Sequence, residues 1–582
     1  PWTRTEQNFG KNNTIYTYAF VIKEEFRKNG YAKMLKKVFY ISGALLLIVS
    51  IVWEYKVNIL IWTIPTLMNI ANPVQENIPT NWSSGPSEIQ KRTDERPNII
   101  LILADDMGYN DISLHNGGAA DGSLKTPNID SLAQSGAWFS RGYAANATCA
   151  PSRASIMSGK YPTRFGYEFT PVPDASRFIV SWLVEEDDPV LRARIDSEVA
   201  NSLPSFMEMG MPTEQITIAE VLRDAGYYTA HIGKWHLGHA YGMDPQSQGF
   251  EDSLTLAGSS YLPENDPKVV NAKFDTNIDK MVWTSSQYAA RFNGGDLFKP
   301  DKYVTDFYTD EALKVIEKNQ NRPFFLYLSH WAIHNPLQAM RSEVEQMTHM
   351  PDHNLQVYSG MIAALDRGVG KVIDKLKELK IYGKTLIIFT SDNGGANYIE
   401  LEDINKPYRG WKISFFEGGI RVPFIFSWPN EISSDVKIDS AIHHFDIFST
   451  IATAADINTD NLNLDGVNLL PYIKKENLDR PHKTLFWRSG NHQAVLHENW
   501  KYIVSKKENF SWLFDTANDP LEKNNLIKSY PEKALLMKGL LAEHNSKQSK
   551  PLFPSVFEMP ILIDKFEGQE FEKSDEYIYW SN

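Results

Sequence analysis

The chemistry of this chain concentrates first in one short stretch, Cys149-Ala150-Pro151-Ser152-Arg153-Ala154-Ser155-Ile156-Met157-Ser158-Gly159. Its cysteine is the only one in the chain, so no intrachain disulfide can form. A lone cysteine is either reactive or small inert packing. Pro151 and Ser152 suit the start of a helix that residues 154–158 can continue. Cys149 would then stand just ahead of a helix N-terminus, where backbone N–H groups and the helix dipole favour an anion. Arg153, one turn in, adds a fixed fork of donors suited to a tetrahedral oxyanion. A nucleophile, a helix N-terminus and an arginine this close together describe a site for an anionic ester.

Other polar clusters follow apolar runs. Residues 98–104 read as a buried central strand and end in Asp105-Asp106-Met107-Gly108. Adjacent carboxylates repel each other and call for a cation. A strand over 227–232 precedes Gly233-Lys234-Trp235-His236, and one over 323–328 precedes Trp331-Ala332-Ile333-His334-Asn335-Pro336-Leu337-Gln338. A third, over 385–390, ends in Ser391-Asp392-Asn393-Gly394-Gly395. Lys412 and Glu417-Gly418-Gly419 come next, and a strand over 422–428 closes the unit. Helices are predicted from 127 to 133, over 216–225, 357–379 and 441–454, with Ile362, Leu365, Val369, Val372 and Leu376 at helical spacing. Taken singly, Lys234 and His236 read as a loop pair, His334 as a capping histidine and 392–395 as a turn. Ligands of α/β sheets bind outside the carboxyl ends of the strands, so the shared placement of the clusters points to one site.

The Cys-x-Pro-Ser-Arg stretch with its following Gly resembles the signature of the formylglycine-dependent sulfatases of the alkaline phosphatase superfamily. Thr often stands in that family where this chain has Ser158. The other clusters extend the resemblance over most of residues 97–530. It implies that Asp105, Asp106, Asp392 and Asn393 bind a metal, and that Lys234, His236, His334 and Lys412 join Cys149 and Arg153 as catalytic residues. His115, His239, His443 and His444 are left as structural or surface residues. The implied fold is α/β, with a large mixed, mostly parallel sheet flanked by helices and a smaller C-terminal α+β domain.

The resemblance also implies the chemistry. Cys149 would be converted by a maturation enzyme to formylglycine, whose hydrate attacks sulfur. One divalent cation, Ca²⁺ for an all-oxygen set, would bind a sulfate oxygen. Arg153, Lys234 and Lys412 would stabilise the sulfuryl oxygens. His334 would protonate the leaving alcohol, and His236 would act as base when sulfate is expelled. The expected enzyme is a sulfatase acting on aryl or carbohydrate sulfates. The alternatives are a phosphodiester or phosphonate monoester hydrolase and, in another class, a membrane-tethered binder of sulfate esters with unmodified Cys149.

The chain has 582 residues, 42% hydrophobic, with fifteen Trp and thirty Phe, which argues against disorder. Its net charge of −13 excludes nucleic acid as the main partner. Residues 1–37 form a polar segment without a starting Met. Lys33, Lys36 and Lys37 precede an uncharged run over 38–53, and a second apolar stretch over 57–68 is broken by Pro65. Residues 38–68 read as an uncleaved anchor with the catalytic domain outside the cytoplasm, in the periplasm or beyond the cell. Residues 69–96 read as a linker. A catalytic domain over 97–460 follows, with 167–212, including a helix around 177–184, as an insertion. Residues 461–582 read as a C-terminal α+β unit of short strands and a helix from Pro531, and 551–582 carry no functional signal.

Overall fold

The computed structural model describes residues 3–9, 13–19, 33–34, 36–42, 63, 70–87 and 96–582, the last span without 116, 120, 175–192 and 508. The chain divides into two units, Pro1–Thr66 and Leu67–Asn582. In the first, strands β1 (Thr3–Phe9) and β2 (Asn13–Ala19) pair as an antiparallel hairpin, where composition suggests only a polar segment. Nearly all of the expected anchor, and the helix expected around 177–184, lie outside the described residues. No helix among the described residues is long and apolar enough to cross a membrane.

The second unit carries the chemistry. Its strands in chain order begin with β3 (Asn98–Ala104), β4 (Ala137–Tyr143), β5 (Arg194–Ile195), β6 (Tyr228–Gly233), β7 (Asp252–Leu256) and β8 (Val269–Ala272). They continue with β9 (Ala290–Phe292), β10 (Leu297–Phe298), β11 (Phe324–Ser329), β12 (Leu337–Met340), β13 (Thr385–Ser391), β14 (Phe424–Ser427) and β15 (Val436–His443). The C-terminal strands are β16 (Thr484–Ser489), β17 (His492–His497), β18 (Trp500–Ser505), β19 (Phe510–Asp515), β20 (Phe557–Leu562) and β21 (Tyr577–Ser581).

Ten strands form the main sheet in the order β10-β9-β7-β6-β11-β3-β13-β14-β4-β15. Neighbours around β3 run parallel, and antiparallel pairings set β9 and β14 against the rest. Helices cover both faces, which is why β3 is apolar continuously from Ile99 to Ala104 rather than alternately. Ile100 and Ile102 feed one core, while Ile99, Leu101 and Leu103 feed the other. The first core receives the long helix His353–Glu378 through Ile362, Leu365, Val369, Val372 and Leu376. The second receives the helix Cys149–Ser158 through Ala150, Ala154, Ile156 and Met157.

Two expectations are corrected. Residues 441–443 are not helical but end β15, which pairs parallel with β4. The helix starts only at Asp446, whose carboxylate accepts the His443 N–H at 2.8 Å and so marks the break. The linker reading also fails for residues 75–83, which lie fixed on the second unit. Gln75 N–H donates to Leu297 O at 2.8 Å, and Ser83 N–H to Asp252 Oδ2 at 2.8 Å. The buried Trp82 donates its indole N–H to Glu311 Oε2 at 2.7 Å, and Thr80 donates to the same oxygen. Composition reports the polarity of such a strap but not its partners.

Beyond residue 484, β16–β19 form an antiparallel meander. One face packs against the helix Pro531–Ser546 through Met537 and Leu541. The other, through Leu485, Trp487, Leu496, Ile503 and Phe514, packs on Ile413, Phe415, Phe416 and Ile420. The small sheet therefore backs the loop that carries Lys412. Strands β20 and β21 form a hairpin completed by β5.

Candidate active site

Strands β3, β6, β11 and β13 run in one direction, so the polar clusters that follow them emerge at one end of the sheet. Cys149 opens its helix instead of preceding it, with Thr148 as N-cap. The helix is buried along its whole length, and its small residues allow it to sink between the layers. Ser152 Oγ donates to Asn146 O at 2.8 Å and fixes the approach loop. Cys149 Sγ lies 3.6 Å from Asp105 Oδ1 and 3.8 Å from Asp106 Oδ1. Burial, with Asp392 nearby, pushes the thiol well above its ordinary range, so the encoded side chain stays a neutral thiol here.

Neighbouring residues of an extended strand point to opposite faces, yet both aspartates reach Cys149. The reason is Asp106, whose φ of 59° turns the chain as β3 ends. Aspartate tolerates that left-handed region better than most residues. Asp392 Oδ1 accepts the Asp106 N–H at 3.2 Å and holds the turn. Asn393 Nδ2 donates to Asp106 Oδ1 at 2.8 Å.

Three cations enter this group. The fully buried Arg153 has Nη2 2.9 Å from Asp105 Oδ2 and 2.8 Å from Asp392 Oδ2, and Nη1 donates to Lys234 O at 2.8 Å. Lys234 Nζ is 2.8 Å from Asp105 Oδ2. Lys412 Nζ is 2.7 Å from Asp106 Oδ1. His334 Nε2 lies 3.5 Å from Asp106 Oδ2, and its Nδ1 is 2.6 Å from Asn335 O. Burial would raise Asp106, but Lys412 and His334 outweigh it and hold the carboxyl well below the usual range. Burial and the charge of Asp392 push Asp105 up to about 6. His236 is not hydrogen-bonded into the cluster. It stands at φ 63°, its buried Nδ1 has no partner, and burial together with Lys234 keeps its basicity well below normal.

The oxygen donors of the site fit a hard cation, whereas the thiol and imidazole beside them are not ligands that such an ion prefers. Single ligand atoms of Asp105, Asp106, Cys149 and His334 lie within 4.8 Å of one another. Asn393 Oδ1 is buried beside them without a hydrogen-bond partner. An orphaned amide oxygen next to buried carboxylates is what an oxygen-coordinated ion would complete.

Sequence reasoning passed over several residues here. Ser329 Oγ accepts from Arg153 Nη1 at 2.5 Å. Tyr398 Oη donates to Asp106 Oδ2 at 3.2 Å and accepts from Lys412 at 3.2 Å. Trp331 stacks on His334 with centroids 4.1 Å apart and presents its ring to Lys234 Nζ at 4.7 Å. Only position hints at them: Ser329 closes a strand, Trp331 opens the quoted His334 stretch without a role assigned to it, and Tyr398 lies a few residues past the Asp392 motif. The glycine pairs do have a legible reason. A Cβ on Gly394 would meet Gly418 O at 1.9 Å, so the Asp392 and Lys412 loops touch backbone to backbone. Gly394 N–H donates to Gly419 O at 3.0 Å across that contact.

Arg409 secures the same loop from outside. Its Nε donates to Asp564 Oδ1 at 2.6 Å and its Nη2 to Glu576 Oε2 at 2.5 Å, both acids lying between β20 and β21. Its own carbonyl accepts the Gly418 N–H at 2.7 Å. The acidic, aromatic tail thus has a structural partner beside Lys412.

The family profile described as Sulfatase matches residues 97–457, which span every polar cluster of this site. The chain belongs to the sulfatase family. A second profile, N-sulphoglucosamine sulphohydrolase, C-terminal, matches 410–550, from the Lys412 loop through the small sheet and its helix. This sulfatase is 30% identical over 402 residues to the N-acetylgalactosamine-6-sulfatase of Mus musculus, covering 68% of this chain and 69% of that one. It is 27% identical over 519 residues to the N-acetylgalactosamine-6-O-sulfatase of Bacteroides thetaiotaomicron, covering 75% and 91%. The solved structure of Ps i-CgsB in complex with k-i-k-neocarrahexaose superposes with a TM-score of 0.64 at 29% identity, over 79% of this chain and 94% of that one. The sulfatase is an enzyme that hydrolyses sulfate esters, and its family implies both a metal and formylglycine.

Proposed function

We propose that this sulfatase removes sulfate from a sulfated carbohydrate, with formylglycine at position 149 and one Ca²⁺ held by Asp105, Asp106, Asp392 and Asn393. The observation that carries the reading is the ring of Arg153, Lys234 and Lys412 around the carboxylates beside Cys149 Sγ. Formylglycine supplies, as its hydrate, a hydroxyl nucleophile that the buried thiol does not offer. Bound Ca²⁺ supplies polarisation of a sulfate oxygen and offsets the clustered negative charge. Arg153, Lys234 and Lys412 then hold the sulfuryl oxygens in a site closed to water, where such contacts are strong. The 2.6 Å contact from His334 Nδ1 to a carbonyl requires a proton on Nδ1, so Nε2 faces the site and carries a second proton only when the ring is charged. Burial lowers His334 to about 3 and Asp106 opposes that loss, so the charged ring is a strong acid placed to protonate the leaving alcohol. His236, with an unpartnered Nδ1, takes a proton from position 149 as sulfate departs.

The amino-sugar names of the relatives and the neocarrahexaose in Ps i-CgsB support a carbohydrate substrate. The basic residues ahead of the apolar run over 38–53 support membrane attachment with the catalytic unit outside the cytoplasm. Membrane fractionation of the full chain tests the attachment; a soluble cytosolic chain would refute it. For the chemistry, the peptide bearing Cys149 is isolated from a host that has the maturation enzyme and treated with a hydrazide. Labelling, with loss of sulfatase activity in Cys149→Ala, is expected. An unlabelled thiol in fully active enzyme refutes the formylglycine reading. Faster turnover of matched phosphate or phosphonate esters than of sulfates would reassign the physiological substrate.

A further inference from the structure

A cavity of about 360 Å³ lies at the seam between the edge of the main sheet and the C-terminal sheet. That is within the ~300–1,000 Å³ range of ligand pockets. Its walls come from β4, β15, the segment leading into β16, and the β17–β18 turn. Leu478, 86% exposed, stands on its rim.

Two guanidinium groups face this space. Arg141, on β4, donates from Nη1 to Asn499 Oδ1 and from Nη2 to Thr516 Oγ1, each at 3.3 Å. Arg480 donates from Nη1 to the same Asn499 Oδ1 at 3.2 Å. Both arginines thus lean on one neutral amide oxygen. Among the described residues neither has a carboxylate within ion-pairing distance. The acids of the cavity wall are already engaged: Asp439 by Ser140 Oγ at 2.5 Å and Lys437 Nζ at 3.0 Å, Glu498 by Lys483 at 3.8 Å.

The charges behind the wall are balanced without Arg141. Glu417 is held by Lys501 at 2.7 Å and Arg421 at 3.1 Å, and Lys501 is 2.8 Å from Glu522. Lys501 and Arg421 thus share the two buried carboxylates between them, which leaves Arg141 at the cavity with only its neutral partners. Charged groups removed from water are ordinarily paired. Planar forks with spare N–H groups match sulfate oxygens two at a time.

We propose that this cavity is a second anion site, separate from the one around Cys149, and that it takes a sulfate group of the glycan chain whose other sulfates the enzyme hydrolyses. The proposal rests on the carbohydrate-sulfate reading for the source of that group. The released sulfate ion presents the same chemistry and is the competing source.

The test uses the full enzyme with Arg141→Gln/Arg480→Gln, and with Arg480→Gln alone, since Arg480 is exposed and its change leaves the core untouched. Equilibrium dialysis against labelled inorganic sulfate at fixed ionic strength should show one equivalent fewer in the double variant. In Arg480→Gln the affinity of that equivalent should fall about ten-fold, the scale of one hydrogen bond to a charged group. Rates on nitrophenyl sulfate should stay within two-fold of the parent, while KM on a polymeric sulfated glycan should rise about ten-fold. Unchanged sulfate stoichiometry and unchanged glycan KM would overturn the site. A lost sulfate equivalent with unchanged glycan KM would overturn the glycan as occupant in favour of the free ion. If the parent cleaves no sugar sulfate, the carbohydrate reading fails, and the dialysis still decides whether the anion site exists.

Discussion

The carboxylates near Cys149 differ in what balances them. Asp106 has Lys412, Asn393 and Tyr398, whereas Asp105 has Lys234 and shares Arg153 with Asp392. Of the three carboxylates only Asp105 is pushed up, to about 6, so a bound cation would hold the whole group ionised. Asp392→Asn keeps the shape and removes one charge. It should lose stoichiometric Ca²⁺ by elemental analysis and activity with it, while Arg153 keeps Asp105 and the fold. Retained stoichiometric Ca²⁺ would disprove the ligand assignment. The role of His334 depends on the leaving group. General acid catalysis contributes ~10²–10⁴-fold where a poor leaving group needs the proton. His334→Ala should slow sugar sulfates by about that factor and nitrophenyl sulfate far less, whereas His236→Ala should slow both alike. Equal losses on both for His334→Ala would mean another residue is the acid. At this scale the sequence was legible where a side chain is chemically rare in context, such as a lone Cys or paired Asp. Ser329, Trp331 and Tyr398 are common types, and only the folded neighbourhood gives them partners.

Elements place Lys412 from two sides. The glycine contact at Gly394 and Gly418 sets its loop against the Asp392 loop, and Arg409 ties it outward to Asp564 and Glu576. Arg409→Ala should let the loop shift without emptying the metal site. An ångström-scale displacement can cost about 10²-fold in rate. The expected result is a 10–100-fold lower kcat with normal Ca²⁺ content and little change in KM, partly restored in Arg409→Lys. An unaltered kcat would show that Lys412 is held without the tail. Buried strands were legible as unbroken apolar runs. The 551–582 hairpin was not, because its partners lie more than a hundred residues away, and the 441–454 helix was read five residues too long at its start because small and apolar residues suit strand and helix alike. That ambiguity was settled by pairing with β4.

Across the whole molecule, the main sheet and the C-terminal unit are joined by buried polar contacts as well as by packing. His482 Nε2 meets Asp446 Oδ1 at 2.8 Å and Oδ2 at 2.9 Å. Burial opposes protonation of His482, but Asp446 outweighs it and raises the ring above its ordinary 6.5. The native state therefore binds this proton more tightly than the unfolded chain. The pair contributes fully below about pH 6.5 and loses its contribution as pH rises through the raised value. His482→Gln should cost about 1.5–3 kcal/mol at pH 5.5 and clearly less at pH 9, read by denaturant unfolding. Equal losses at both pH values would contradict the charged pair. The α/β class and the small C-terminal sheet were visible as elements in sequence, but the contacts that join them were not, since ion pairs across a seam leave no periodicity.

Cys149 is sealed by residues that arrive late. A ribosome that has just made the helix Cys149–Ser158 has not yet made Lys234, His334, Asp392 or Lys412, each of which pairs with a residue of the charged cluster beside the thiol. β3 likewise gains its neighbours late, β11 once residue 329 has emerged and β13 only with residue 391. At a synthesis rate of roughly 5–20 residues per second, the more than 240 residues between Cys149 and residue 391 take on the order of ten seconds or more. For that interval the Cys149 stretch is accessible nascent chain, open to a modifying enzyme that could not reach it in the finished fold. The same topology that buries Cys149 sets a clock for the conversion proposed there.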